Sequence, residues 1–543
     1  MAGAIVPLVY VAPTVFRGRL LTHFLGHWAP FSGQQLGDTF GADPFGLTFA
    51  LAVASIGAVL LIYTLSELSD LGTRELGGYA CLFQLLLAAL IGAGLTADMV
   101  NLFVWFEVAA IASYGLTGFF LERPIALEAA FKILVLTNIA SFAVFIGAAM
   151  IYSGHGALNF GQIHHAVQAH LQDADLLALG ILVMGMATKA GVMPFHGWLP
   201  DAHTAAPGPV SALFSGLMVN LGVVVIARLA LQIYGPPSVG PLLGLLTVLG
   251  AVSAILGAVL ALAQDDLKRL LAYDTISQMG VLLVGFSAGH APAVAGATYH
   301  LVNHALFKAL LFLCAGAIVH STGLTHLSEM GGLARRMPLV AGGFILGVLA
   351  ISGVPPLNGY VSLGLIHDSL KDDNPAAYAA LLVAQIVTVA ALARAAYLAF
   401  FSRRQEDLPQ QKRMHPGMAG AAGLLGVGCV AFGIFPYTVL HRIVEPAAGG
   451  LLASSSYANG LLTSGSTSLP VPAVNFDYFS PSGWATALGT VAAGLLLAAW
   501  YVRRASEPKP VTWLRALHTG SVNDYTAYLA VGGIITVSAL LHG

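Results

Sequence analysis

Three ionisable side chains lie in stretches otherwise apolar enough to sit in a bilayer: Glu107 in NLFVWFEVAAIASYGL, Lys189 in LALGILVMGMATKAG and Lys308 in YHLVNHALFKALLFLCAGAIV. A charged group at the centre of a membrane helix costs at least about 2.5–3.5 kcal/mol, so such residues usually face a protein interior or a water path and mark ion routes. His300, His304 and Lys308 recur at i, i+4 and i+8. In a helix that spacing makes one stripe about 12 Å long. Histidine titrates near neutrality and a desolvated lysine exchanges protons at working pH, so the chemistry open to this stripe is proton relay. The competing reading is that each group only hydrogen-bonds a neighbouring helix. Glu107 and Lys189 suggest a second unit. Opposite charges in low dielectric alter one another's hold on a proton, so moving one relative to the other would switch which is protonated. Taken singly, Glu107 could be structural glue and Lys189 could snorkel to an interface.

The elements that must position these groups are membrane helices. With 543 residues, 57% of them hydrophobic and only 9% charged, the chain has too little polar surface to cover a water-soluble body. Apolar runs of about 20 residues recur from end to end, without the alternation of an outer-membrane barrel. Fifteen spans are expected, at 1–16, 45–66, 78–97, 99–121, 129–152, 176–193, 209–234, 242–263, 271–288, 295–320, 338–363, 376–401, 417–440, 484–502 and 525–542. The opening AIVPLVYVAPTVF lacks a basic region and a cleavage site and is expected to be a short first helix. Cys81, Cys314 and Cys429 show no ligand spacing and are expected to pack as small apolar residues. No nucleic-acid module is visible, and no soluble domain could bury its own core.

Lysine and arginine gather in alternate loops: Arg123, Lys268 with Arg269, Arg335 with Arg336, Arg403 with Arg404, Lys412 with Arg413, and Arg503, Arg504, Lys509 and Arg515. Those loops are expected on the cytoplasmic side. Arg17 and Arg19 break the alternation. Two segments, MATKAGVMPFHGWLPDAHTAAPGP at 186–209 and ISGVPPLNGYVSLGLIHDSL at 351–370, are interrupted by glycine and proline and predict broken helices. Such interruptions at matching places point to inverted repeats around a binding site. The expected organisation is N-terminal helices at 1–77, a first inverted repeat at 78–234, a second at 242–401, and C-terminal helices at 402–543 with a polar connection at 441–483. His196, Asp201 and His203 follow the first break and could line a hydrated mouth. No ligand set converges there, so no metal is expected. Asp98, Lys132, Arg228, Lys268, Asp265, Asp266 and Arg394 fall nearer predicted helix ends, where charges are commonly solvated and structural.

The segments FVWFEVAAIASYGLTGF, KAGVMPFHGWLPDAHTAAPGPVSAL and YHLVNHALFKALLFLCAGAIVHSTG with GGLARRMP occur in that order. They closely resemble the proton-translocating antiporter-like subunits of respiratory complex I, membrane-bound energy-converting hydrogenases and Mrp-type sodium/proton antiporters. The resemblance covers roughly residues 40–440. It implies an all-α polytopic fold of about 14–15 transmembrane helices, with two inverted five-helix repeats, each holding a broken helix, around a hydrated polar axis. By motif match Glu107 takes the place of the channel glutamate, Lys189 that of the broken-helix lysine, and His300, His304 and Lys308 that of the central relay. Two departures stand out. Where relatives commonly place Lys or Glu after the second break, PPLNGYVSL offers Leu363, with His367 and Asp368 one turn on as candidate substitutes. Where a basic residue often follows PGPVSAL, GLMVNLG offers Asn220. Lys132 and His196 are accessory candidates.

The expected function is proton translocation, with sodium exchange as an option, by a multi-pass cell-membrane subunit of a larger complex. With no soluble domain to bury a core and no converging ligand set, no catalytic centre, cofactor or metal is expected in this chain. Any redox cofactor belongs to partner membrane subunits, so the enzyme activity would be that of the complex. Two alternatives remain at this point: a non-conducting scaffold subunit, and the membrane subunit of a proton-driven inorganic-carbon uptake complex.

Overall fold

A computed structural model describes residues 2–31, 34–68, 71–402, 414–463, 465–504, 514, 518 and 520–542. Of the basic loop residues, Arg403, Arg404, Lys412, Arg413, Lys509 and Arg515 lie outside the described residues. Twelve helices among the described residues are long and apolar enough to cross a membrane. The other three expected spans are the short α1 (Ala2–Val15) and two broken segments: α7 (Asp173–Ala190) followed by α8 (Trp198–Ala205), and α13 (Pro338–Ile351) followed by α14 (Asn358–Asp373).

Five of the long helices precede or flank the first break: α2 (Pro44–Glu67), α3 (Thr73–Leu95), α4 (Met99–Thr117), α5 (Pro124–His155) and α9 (Gly208–Tyr234). Between α5 and α7 lies the amphipathic α6 (Phe160–Ala169). Then follow α10 (Gly240–Leu262), α11 (Leu267–Ser287), α12 (Ala291–Thr322), α15 (Pro375–Phe401) and α16 (Pro416–Ile434). The starts are set locally. Asp98 accepts from Val100 N at 2.9 Å and Asn101 N at 3.0 Å to cap α4, and Asp266 accepts from Arg269 N at 2.8 Å to cap α11. Both aspartates thus have the structural role their position at helix ends suggests.

Helices α9, α11 and α12 are buried on almost every side, polar residues included, which puts them in the middle of the bundle. Small residues allow close approach. A Cβ on Gly250 of α10 would sit 2.8 Å from the carbonyl oxygen of Gly280 on α11, so the two backbones meet with no side chain between them. Helix α9 winds loosely at Phe214–Met218 and again at Arg228–Tyr234, with Asn220 just after the first loose turn. Such turns often mark functional sites.

The stretch expected as a polar connection at 441–483 carries α17 (Glu445–Leu452), α18 (Ser454–Leu461) and the strand Ser466–Ser468. That strand is β3 of a small antiparallel sheet with β1 (Arg19–Phe24) and β2 (Thr39–Ala42), in the order β2-β1-β3. Leu21 faces Ala42 on one side, and Arg19 faces Ser468 on the other. The sheet was not foreshadowed by a period-two pattern. It explains Arg19, whose guanidinium donates to Ser466 Oγ at 3.2 Å. Two peripheral helices, α19 (Pro481–Arg503) and α20 (Val522–His542), complete the chain. They pack on α15 and α7 respectively.

Candidate ion-translocation axis

Lys189 occupies the last turn of α7, immediately before the first break, where Gly191 takes a left-handed φ of 67°. The loose end of α7 is held by Trp198, whose indole N–H donates to Thr188 O at 2.7 Å, and by Ser253, which accepts from Met193 N at 3.1 Å. The ammonium of Lys189 is buried and has no hydrogen-bond partner. It lies 5.7 Å from the ring centroid of Phe106, the residue before Glu107 on α4. Glu107 is half-buried, and its Oε1 also has no partner. The two charges are therefore neighbours in space without being an ion pair.

The second group is organised by α12. His300, His304 and Lys308 are wholly buried along one face, as their spacing predicts. Lys308 Nζ donates to Asp274 Oδ2 at 2.5 Å and to Leu271 O at 3.0 Å; both side chains of this ion pair are 0% exposed. The other carboxylate oxygen, Asp274 Oδ1, has no partner. His304 has neither ring nitrogen hydrogen-bonded and meets the ring of Phe307 edge-on at 5.7 Å. His300 reaches two side chains, Gln278 Oε1 through Nε2 at 2.9 Å and Ser362 Oγ through Nδ1 at 3.0 Å.

Asn220 sits between the two groups. Its amide donates to Gly216 O at 2.8 Å and to Leu301 O, on the histidine helix, at 3.3 Å, while its own oxygen is buried without a partner. Two residues on, Gly222 lies against Ala190 and Met186 of α7. Helix α9 thus spans from the lysine of the first group to the histidines of the second. An amide there can hydrogen-bond water but hold no charge.

Beyond His300, Ser362 lies in α14, just past the second break, and its hydroxyl donates to Gly359 O at 3.3 Å. A cavity of about 50 Å³ there is lined by Ser352, Leu363, His367 and Asp368, with Gln385 from α15 and Thr490 from α19. That volume has room for one or a few waters among several polar partners. Leu363 is buried, packed beside Val281 and Ile366, and forms part of the wall. His367 is buried and faces Tyr378 edge-on at 5.7 Å. The second break is fixed by a reciprocal pair: Asn303 Nδ2 donates to Asn358 O at 2.9 Å, and Asn358 Nδ2 to Asn303 Oδ1 at 3.0 Å.

Other predicted residues fall outside this row. Lys132 pairs with Glu128 at 2.7 Å and Asp201 at 2.8 Å, and Asp201 also approaches Arg269 at 3.5 Å, so the network clamps α5, α8 and α11. His196 meets His518, the two Nε2 atoms 2.5 Å apart. Four of the helix-end residues are buried, Asp98 and Lys132 at 6% exposed with Arg228 and Lys268. Arg228 is 2% exposed and donates to Asp43 Oδ1 at 2.6 Å, Gln232 Oε1 at 2.6 Å and Gly94 O at 3.0 Å. Lys268 is 7% exposed and donates to Ala206 O at 2.8 Å. Their nearness to a helix end was misleading, because α9 and α11 are central and their ends stay covered. The residue that sequence reasoning missed is Asp274. A carboxylate inside the predicted span 271–288 was the signal available for it. Among the described residues no cluster of metal-ligand side chains occurs.

A multi-pass helical membrane protein with two interrupted helices and a row of buried titratable groups through its middle is built to carry ions. Comparison with known proteins is specific. The profile described as NADH:quinone oxidoreductase/Mrp antiporter, TM, matches residues 96–399, and the chain belongs to that family. It is 30% identical over 457 residues to NADH-quinone oxidoreductase subunit N of Desulforudis audaxviator, covering 81% of this chain and 89% of that protein. It is 31% identical over 461 residues to a Na(+)/H(+) antiporter subunit from Alkalihalophilus pseudofirmus, covering 82% and 91%. Among solved structures, a chain of the Mrp complex from Dietzia shares the fold with a TM-score of 0.77 at 24% identity, over 85% of this chain and 93% of that one. A chain of the membrane-bound sulfane sulfur reductase, an archaeal respiratory membrane complex, gives a TM-score of 0.75 at 26% identity, over 84% and 91%.

Proposed function

We propose that this chain is a proton-translocating subunit of a multi-subunit complex in the cell membrane, with Lys189, His304, His300 and Lys308 as stations and Asp274 as the counter-ion of the last. The observation that carries the proposal is the buried Lys308–Asp274 pair beside His304, whose two ring nitrogens are both unpartnered. A buried polar group without a partner is costly, and a group meant to receive and pass on a proton must leave a site open. His304 meets that requirement. Asp274 holds the Lys308 ammonium while its free oxygen can accept a hydrogen bond from a passing water. His300 hands on to Ser362, and the cavity at Leu363, His367 and Asp368 supplies the exit for which a charged residue at 363 is lacking.

At the other end Glu107 acts on Lys189 through space. With no hydrogen bond to hold them together, a small shift of α7 at its break changes their interaction, which scales inversely with distance. Two inverted repeats, 78–234 and 242–401, would then each contribute one lysine station. The named relatives are subunits of oxidoreductase or antiporter assemblies. By extension this chain works with other membrane subunits, which carry any redox cofactor and set whether sodium is exchanged.

Replacing Glu107 or Lys308 with Ala in the assembled complex and following ion transport in vesicles tests the proposal; transport at the wild-type rate in the Lys308 variant would refute it. A second reading, a scaffold subunit that conducts no protons, is favoured by one observation, the buried apolar Leu363 at the expected exit. Under that reading Leu363→Glu creates a proton flux absent from the wild type, whereas a conducting wild type contradicts it.

A further inference from the structure

Glu67, the last residue of α2, lies outside residues 96–399, the part of the chain that matches the family. Its Oε2 is buried with no hydrogen-bond partner. The side chain rests against the start of α9: a Cβ on Gly208 would stand 3.6 Å from Glu67 Oε1 and 2.9 Å from Gly316 Cα of α12. Helices α2, α9 and α12 therefore converge on this carboxyl. One turn earlier on α2, Tyr63 donates to Leu313 O at 3.0 Å and closes the inner side of the contact. Lys268 from α11 acts on Glu67 electrostatically, and Glu67 in turn acts on Tyr79 from α3 and Tyr63 of its own helix.

From Lys268 the row continues inward. Its ammonium donates to Ala206 O, three residues past His203 in α8. His203 is 0% exposed, both its ring nitrogens lack partners, and the ring stacks on Phe312 of α12 at 4.7 Å. The charges that act on His203 are Lys308 and Lys268. Four titratable groups from four helices thus form a file, Glu67, Lys268, His203 and Lys308. It begins at the end of the bundle where Arg74 and Arg123 open their helices, the side assigned to the cytoplasm by its basic loops.

We propose that Glu67 is a proton-input acid. It takes a proton from the basic side of the membrane and passes it through Lys268 and His203 to Lys308, so the second station is loaded directly and not across Asn220. A carboxyl with one oxygen buried and unpartnered is tolerated when that oxygen takes up a proton, and a carboxyl that gains and loses one is what an input site requires. This deepens the proposed function and rests on it. The branch is supplied by a helix outside the two repeats, which gives α2 a task that the family match does not assign.

The test uses the assembled complex in inverted vesicles with Glu67→Gln, Glu67→Asp, His203→Asn and Lys308→Ala. The expected result is a fall in proton uptake on the order of 100-fold in Glu67→Gln, the lower end of what a positioned proton donor contributes. Glu67→Asp keeps much of the rate, and added azide or formate restores part of it in Glu67→Gln, which a packing role would not produce. Should Glu67→Gln assemble poorly, His203→Asn decides, since it removes an acceptor further along the file while sparing α2. A wild-type rate in Glu67→Gln or His203→Asn with Lys308→Ala inactive overturns the input branch alone. A wild-type rate in Lys308→Ala overturns the translocation reading beneath it.

Discussion

The Lys308–Asp274 pair allows a quantitative prediction. At 2.5 Å, with both side chains 0% exposed, the two charges attract by about 6–7 kcal/mol at an effective dielectric constant of about 20. Desolvation offsets much of that in the intact pair, but removing one partner leaves the other charge buried alone, at a cost of about 3–5 kcal/mol. Asp274→Asn and Lys308→Met should each destabilise the protein by about that much in equilibrium unfolding in detergent. The double variant should fall short of their sum by about 3 kcal/mol, because the second substitution removes a charge that the first had already stranded. Coupling of this size requires direct contact. Additivity within about 0.5 kcal/mol would refute the reasoning, since it would mean that the two charges do not meet in the membrane-embedded protein.

Four further outcomes are expected. Arg228→Met should strand Asp43, which is 0% exposed, and lower stability by about 3–5 kcal/mol, while transport per assembled complex stays at the wild-type value; thermal unfolding and vesicle assays on the same preparation check both halves. His367→Phe should slow proton release, and adding Leu363→Glu to it should restore the rate, since both positions line one cavity; no effect of His367→Phe on flux would remove that cavity from the route. Asn303→Leu should cost about 1–3 kcal/mol by leaving Asn358 with an unpaired buried amide, read from the denaturation midpoint. Gly433→Ala should destabilise by about 1–3 kcal/mol, because its Cβ would collide with the Pro356 carbonyl at the second break, where backbone cannot yield as a side chain tip would.

Much of the site was legible because it is written in one helix. His300, His304 and Lys308 share a face by spacing alone, and all three are buried where that spacing puts them. The two breaks were legible for the same local reason, since glycine and proline disrupt a helix whatever surrounds it. Partners were harder. Asp274 belongs to another helix, α11, and only the packing of α11 on α12 brings its carboxylate to Lys308. Arg228 and Lys268 were misjudged for a related reason: distance from a helix end measures exposure only when the helix is peripheral, and α9 and α11 are central. The sheet that joins β1, β2 and β3 could not be anticipated, because its strands are three to six residues long and lie 424 or more positions apart from one edge to the other, counted from Ala42 to Ser466. Glu107 and Lys189 were legible as two opposite charges, but only the structure shows that they are neighbours without a hydrogen bond between them.

The central claim is that protons cross through Lys308. Its most direct test is the proton gradient formed by vesicles holding the assembled complex with Lys308→Ala, measured beside the wild type while the companion subunits' own activity is followed in the same preparation. With protons crossing there, the companions remain assembled and the gradient is lost. A gradient equal to the wild type's, at equal assembly, would contradict it.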